Sequence, residues 1–284
     1  MSIDTTIQAT RVFDPLPEVT QTFDCVIHVS TFLETYGKRR QGTVHAYFDA
    51  AQTTIETLCT LPFSRNVQSV ALIVSVNGLI TEMPYIKYLQ ALVPRKNQRV
   101  QIYPVVFQRP NVGWQWGGFW DVWLRYKRCG CKWWFTLEGD VKLTLPFWFD
   151  LFTRDITTAK NAGNMIAFVG AHQAKDTLPS PYEYYGVLPK GVWRDWENKP
   201  LENAQIEDLR HTSGEFYFCT YEFLQAMDAT YHGFTAAFGG HYELDGVIHG
   251  EVGFSQKAHA MGFTYIPFKG AHVHLIHTMK SVEV

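Results

Sequence analysis

Through the first half of the chain, short continuous apolar runs alternate with longer stretches whose apolar residues recur at helical spacing. The run "FDCVIHVSTF" (Phe23 to Phe32) reads as a buried strand followed by a turn, and "TVHAYFDAAQTTIETLCTL" (Thr43 to Leu61) carries the 3.6-residue period of a helix. "SVALIVSVNG" (Ser69 to Gly78) is a β-branched run closed by a turn signal, "MPYIKYLQALVP" (Met83 to Pro94) a short helix stopped by proline, and "VQIYPVVFQRP" (Val100 to Pro110) another strand. "WGGFWDVWLRYKRCG" (Trp116 to Gly130) predicts a helix, and "CKWWFTLEGD" a strand with its edge. Alternating β and α with apolar strands predicts an α/β layered fold around a mostly parallel central sheet.

The pattern changes in the second half. A helix is expected over Phe147 to Lys160 and a strand over Met165 to His172. From Gln173 to Arg210 the chain is rich in proline, tryptophan and tyrosine with little periodicity, the character of functional loops or of walls around an acceptor. Further helices are expected around Thr220 to Tyr231 and Gly250 to Phe263, whereas Met1 to about Val19 reads as an irregular arm. No repeat or low-complexity segment divides the chain, and one domain over residues 1–284 is expected.

Composition narrows the function classes. Of 284 residues, 46% are hydrophobic and 15% aromatic, with nine tryptophans, so the chain has the material for a core without disulfide or metal staples. A net charge of −2 supplies no basic face for nucleic acid, which is not expected as a partner. The clusters "GKRR" (Gly37 to Arg40) and "RYKRCGCK" (Arg125 to Lys132) read as solvated surface or phosphate contacts. Five cysteines is an odd number; "CGC" is too tight for a zinc or redox pair, while Cys25 and Cys219 sit in apolar runs and read as core. A reduced compartment fits, and with no signal pattern and no apolar run long enough for a bilayer, a soluble, cytoplasmic chain with no membrane span is expected.

The candidate chemistry lies in "FTLEGDVKL" (Phe135 to Leu143), where Glu138 and Asp140 flank a glycine at the end of a strand. In sheets of this class ligands bind outside the carboxyl ends of the strands. Two carboxylates there suit a divalent cation that prefers oxygen ligands, magnesium or manganese; the same tripeptide also serves as a plain turn. Phosphate-loop and dinucleotide fingerprints are absent, since "GWQWGG" lacks both the terminal lysine and the glycine spacing.

With "LEGD" (Leu137 to Asp140) after a central strand, the chain resembles the GT-A class of nucleotide-sugar glycosyltransferases, whose Asp-x-Asp metal motif occupies that place; here Glu138 stands for the first aspartate. "RPNVGWQWGG" (Arg109 to Gly118) resembles the Asn-x-Gly turn and helix start ahead of the motif, "TSGEFYF" (Thr212 to Phe218) the glycine loop bordering the donor sugar, "HGEVGFSQKAHAMG" (His249 to Gly262) the helix start that carries the acid, and "FKGAHVHL" (Phe268 to Leu275) the late strand end whose histidine completes the metal shell. The resemblance implies a GT-A-like α/β/α sandwich, with about 20–145 binding the nucleotide sugar and about 146–284 the acceptor. It also implies Mn2+ or Mg2+ held by Glu138, Asp140 and His272. The implied donor is a nucleoside-diphosphate sugar, a UDP-sugar being favoured, and the acceptor a glycan or glycoconjugate hydroxyl.

Within that resemblance Glu251 is the base of an inverting transfer, with Glu243 and Asp245 as competing candidates, and Ser30 and Thr31 cradle base and ribose. Lys38, Arg39 or Arg40 pairs with phosphate, and Asn111 and Gly214 border the donor. Asn111, Gly113 and Gly214 also read as turn formers, and Glu251 as a residue favouring a helix dipole. Trp114, Trp116, Tyr184, Tyr185, Trp193 and Trp196 suit either stacking on sugar faces or a core. Alternatives on the same scaffold are a retaining transferase or a nucleotidyltransferase-like enzyme; outside catalysis, a silent sugar-binding module.

Overall fold

The β-branched and aromatic runs become strands and the periodic stretches become the helices that cover them. The computed structural model describes residues 12–19, 21–32, 44–78, 80, 83–110, 114–144, 146–172, 212–234, 253–268 and 275–277. In chain order these form β1 (Cys25–Phe32), α1 (Val44–Thr60), β2 (Ser69–Asn77), α2 (Met83–Gln90), β3 (Arg95–Asn97), β4 (Val100–Arg109), α3 (Trp114–Tyr126), β5 (Trp133–Glu138) and β6 (Val141–Leu143). There follow α4 (Trp148–Asn161), β7 (Ile166–His172), β8 (Thr212–Thr220), α5 (Tyr221–Tyr231), α6 (Gly253–Ala260), β9 (Thr264–Phe268) and β10 (Leu275–His277).

Eight strands make one sheet in the order β3-β4-β2-β1-β5-β8-β7-β9, and β6 pairs with β10 in a separate ribbon. The neighbours β4, β2, β1 and β5 run parallel, as do β7 and β9. Only β3 and β8 run against the rest. The expected α/β class and mostly parallel sheet are therefore present.

Side chains alternate across the sheet and divide the core into two layers. Ile27, Val29, Leu72, Val74, Phe135, Leu137 and Phe218 face one side, where α1, α2 and α4 cover them. Val26, Ile73, Trp134, Phe168 and Tyr217 face the other, under α3, α5 and α6. Phe135 is stacked on Trp148 at 4.9 Å and meets Phe216 and Phe218 edge-on at 5.9 Å each, a cluster in which truncating one ring costs about 3–5 kcal/mol. Cys25 and Cys219 are core as expected, and all five cysteines are free and buried.

Element ends depart from the sequence reading where backbone geometry rather than apolar content sets them. The helix expected over Trp116 to Gly130 starts at Trp114 and stops at Tyr126, and Gly130, at φ 75°, turns the chain toward β5. The helix expected over Gly250 to Phe263 is, within the described residues, only Gly253–Ala260; Gly262, at φ 79°, leads into β9, a five-residue strand "TYIPF" with a proline inside it. Residues 12–19 are irregular as expected, yet they are docked: Phe13 and Leu16 are buried, and the amides of Val12 and Phe13 donate to Gln108 Oε1 at 2.8 and 3.4 Å. No helix among the described residues is long and apolar enough to cross a membrane.

Candidate functional site

Chain order reverses at β1. From there β2 and β4 are laid down to one side, after which α3 carries the chain across to β5 on the other. A crevice forms outside the carboxyl ends of strands at such a switch point, the place where open α/β sheets bind ligands. Ser30 pairs in register with Glu138 across it, and Gly139 N–H donates to the Ser30 carbonyl at 2.8 Å. Glu138 is half-buried, and Asp140 is 0% exposed. The turn thus sets two carboxylates two residues apart at the switch point, one of them entirely out of solvent. A buried carboxylate is costly unless it is paired, hydrogen-bonded or coordinating, and two carboxylates are the donor type that magnesium and manganese take. Among the described residues no three or more His, Cys, Asp or Glu side chains are grouped to hold a metal.

Beneath this edge lies a polar network that sequence reasoning missed. His28 is fully buried between β5 and β2, its Nδ1 2.9 Å from Thr136 Oγ1 and its Nε2 2.8 Å from Ser75 Oγ. Its ring is stacked on Phe119 of α3 at 5.9 Å. Burial first, and the Arg109 guanidinium second, lower its pKa to about 3, so it is the neutral imidazole, one nitrogen donating and the other accepting. The nearby Asn77 amide donates from Nδ2 to Ser30 Oγ (3.0 Å), the Thr31 carbonyl (3.0 Å) and Ser75 Oγ (3.2 Å). Arg109 Nη1 donates to Asn77 Oδ1 at 3.0 Å, while its Nε donates to Asp121 of α3 at 2.6 Å. Thr31 Oγ1 donates to the Ser75 carbonyl at 2.7 Å.

A signal for this network does exist in the sequence. His28, Ser75 and Thr136 each interrupt an apolar run a few residues before its end; parallel pairing sets Thr136 opposite His28 and Ser75 two positions further along, on the same face. Gly118 completes the arrangement by letting α3 approach: a Cβ there would lie 2.9 Å from Ser75 Oγ and 3.0 Å from His28 Nε2.

Of the residues singled out by sequence, Ser30, Thr31, Glu138 and Asp140 meet at this edge. Ser30 and Thr31 are buried, with their hydroxyls engaged in the network. Gly214 comes to the same edge, because β8 runs antiparallel to β5 with Phe216 opposite Leu137. The late histidine segment approaches as well: β10 places His277 in register with Val141, the residue after Asp140. Asn111, Arg39, Asp245, Glu251 and His272 lie outside the described residues. So do Lys38, Arg40, Gly113, Glu243, Tyr184, Tyr185, Trp193 and Trp196. The helix that follows Glu251 begins at this edge, since Phe254 of α6 packs on Trp116, in the first turn of α3, at 4.5 Å and on Tyr217 at 5.4 Å. Trp116 is 2% exposed, which settles its two readings in favour of the core.

A second concavity, of about 520 Å³, lies away from the carboxylates, at the loop before β2 and the turn before β4, lined in part by Ser64, Arg65, Gln98, Arg99 and Phe147. Its lining carries a single carboxylate, Asp150. No protein-family model matches the chain, and no curated protein matches it.

Proposed function

We propose that this chain is a metal-dependent, inverting glycosyltransferase that moves a sugar from a nucleoside-diphosphate sugar to a hydroxyl of a glycan or glycoconjugate. The observation that carries the reading is the Glu138–Gly139–Asp140 turn, a buried carboxylate and a half-buried one at the switch point of a mostly parallel sheet. In this reading Glu138 and Asp140, with His272, hold a manganese or magnesium ion, which supplies counter-charge for a departing diphosphate. Glu251 accepts the acceptor hydroxyl's proton as that oxygen bonds to the anomeric carbon and the diphosphate leaves with the bonding electrons. Ser30 and Thr31, buried beneath the edge, shape the floor on which the nucleotide rests, and Gly214 borders the sugar.

The test is a panel of nucleotide sugars scored by thermal stabilisation with and without manganese. A ligand at a hundred times its Kd adds about 2.7 kcal/mol, roughly 5 °C for a chain of this size. The expected result is a manganese-dependent shift with one donor, lost in Asp140→Asn. No shift with any donor, or an unchanged shift in Asp140→Asn, would remove the proposal.

A further inference from the structure

We infer that Asn77, clamped by Arg109, is a positioning residue that fixes the Glu138–Gly139–Asp140 turn through Ser30 and so sets the affinity of the edge for a divalent cation. The inference rests on the reading of that turn as the metal-holding edge. The geometry runs in one direction across three strands. Arg109 Nη1 donates to Asn77 Oδ1, which fixes the orientation of the amide: its oxygen faces a guanidinium and its nitrogen faces Ser30, Thr31 and Ser75. Ser30 is thereby held from the β2 side through its hydroxyl. On the β5 side the Ser30 carbonyl receives the Gly139 amide, the centre of the carboxylate turn. Arg109 is itself held by Asp121, which ties α3 to the same chain of bonds.

Asn is the side chain this arrangement requires. It must accept from a cation on one side and donate to neutral oxygens on the other, and its two ends do both. Asp would keep the Arg109 bond but lose every donation, and would turn a carboxylate oxygen toward the Thr31 carbonyl. The hydrogen-bonding partners behind metal ligands typically change metal affinity by about 10–100-fold when they are altered. Asn77 is fully buried, so its effect on the cation is indirect, and its hydrogen-bonded route to the turn runs through Ser30 and Gly139.

Asn77→Asp and Arg109→Lys test this in the full chain. Lysine keeps the charge but not the planar fork that spans Asn77 and Asp121; it carries the test if the aspartate variant fails to fold. Two quantities are measured: hydrogen exchange at the Gly139 amide, and Mn2+ binding followed by the free-ion electron paramagnetic resonance signal. The expected result is Gly139 exchange faster by about tenfold, as loss of a buried hydrogen bond implies, with Mn2+ affinity weaker by about 10–100-fold and a single cooperative melt retained. Unchanged Gly139 exchange would overturn the inference. So would faster exchange with wild-type Mn2+ affinity. If the wild-type chain takes up no Mn2+ while Gly139 exchange still accelerates in the variants, the metal-holding reading and the affinity claim both fall, and what survives is the mechanical link from Asn77 to the turn.

Discussion

Gly118→Ala sets two opposed effects against each other at one carbon atom. Gly118 lies inside α3, where alanine is favoured over glycine by about 1 kcal/mol in helix propensity. Its missing Cβ, however, faces the His28–Ser75 hydrogen bond, and a methyl would stand 2.9 Å from one partner and 3.0 Å from the other. The methyl pushes α3 back from the sheet, at about 1–3 kcal/mol for overpacking, and opens the bond, leaving buried groups unsatisfied at about another 1–3 kcal/mol. Steric cost therefore outweighs propensity, and the expected net loss is about 1–5 kcal/mol, roughly 2–10 °C in Tm. Urea unfolding and calorimetry measure it. Ser75→Ala removes the nearer obstacle, so the double variant should lose less than the sum of the singles, with a coupling of about 0.5–3 kcal/mol. A Gly118→Ala protein as stable as its parent, or strict additivity with Ser75→Ala, would refute the close approach of α3.

His28 also makes stability depend on acid. Its pKa is lowered in the fold from 6.5 to about 3, so between those values the unfolded chain binds the extra proton; the contribution is fully present above about pH 6.5 and is lost as pH falls toward 3. The urea midpoint should fall across that window, and His28→Gln should flatten part of the slope; parallel profiles would show that another group is responsible. Phe147, 57% exposed, caps the start of α4 at φ 62° and ψ 25° without a side-chain hydrogen bond. Phe147→Asn places there a residue that tolerates the left-handed region, and the melt should rise by about 1 kcal/mol in stability; a lower melt would show that the ring contributes through contact.

The layering was legible because β1, β2 and β5 are largely buried on both faces and, with the partly buried β4, read as apolar runs bounded by turn signals. Glu138 and Asp140 were legible for the same reason, since an acidic pair closing such a run must fall at a sheet edge. Short strands were not. "RKN" of β3 and "VKL" of β6 are three residues each and become strands only through partners. The His28 network was hidden because Thr136 and Ser75 look like ordinary small polar residues until the sheet sets Thr136 in register with the histidine and Ser75 two positions along on the same face. Trp116, open between a sugar platform and the core on sequence, sits in the core because α6 brings Phe254 onto it.

The antiparallel β8 has a consequence for biosynthesis. Among the described residues it is the only partner of β5 on the side away from β1, and it emerges about 75 residues after β5 ends. At about 5–20 residues per second, the ribosome leaves that edge unpaired for roughly 4–15 seconds, with Trp133, Trp134 and Phe135 beside it. Neither α4 nor β7, made in the interval, bonds to β5; β7 itself waits for β8. An apolar strand edge held open in a growing chain is a template for pairing with another chain. Cellular yield of this protein should accordingly depend on holding nascent chains apart during that interval, and slowing initiation should raise it more than slowing elongation.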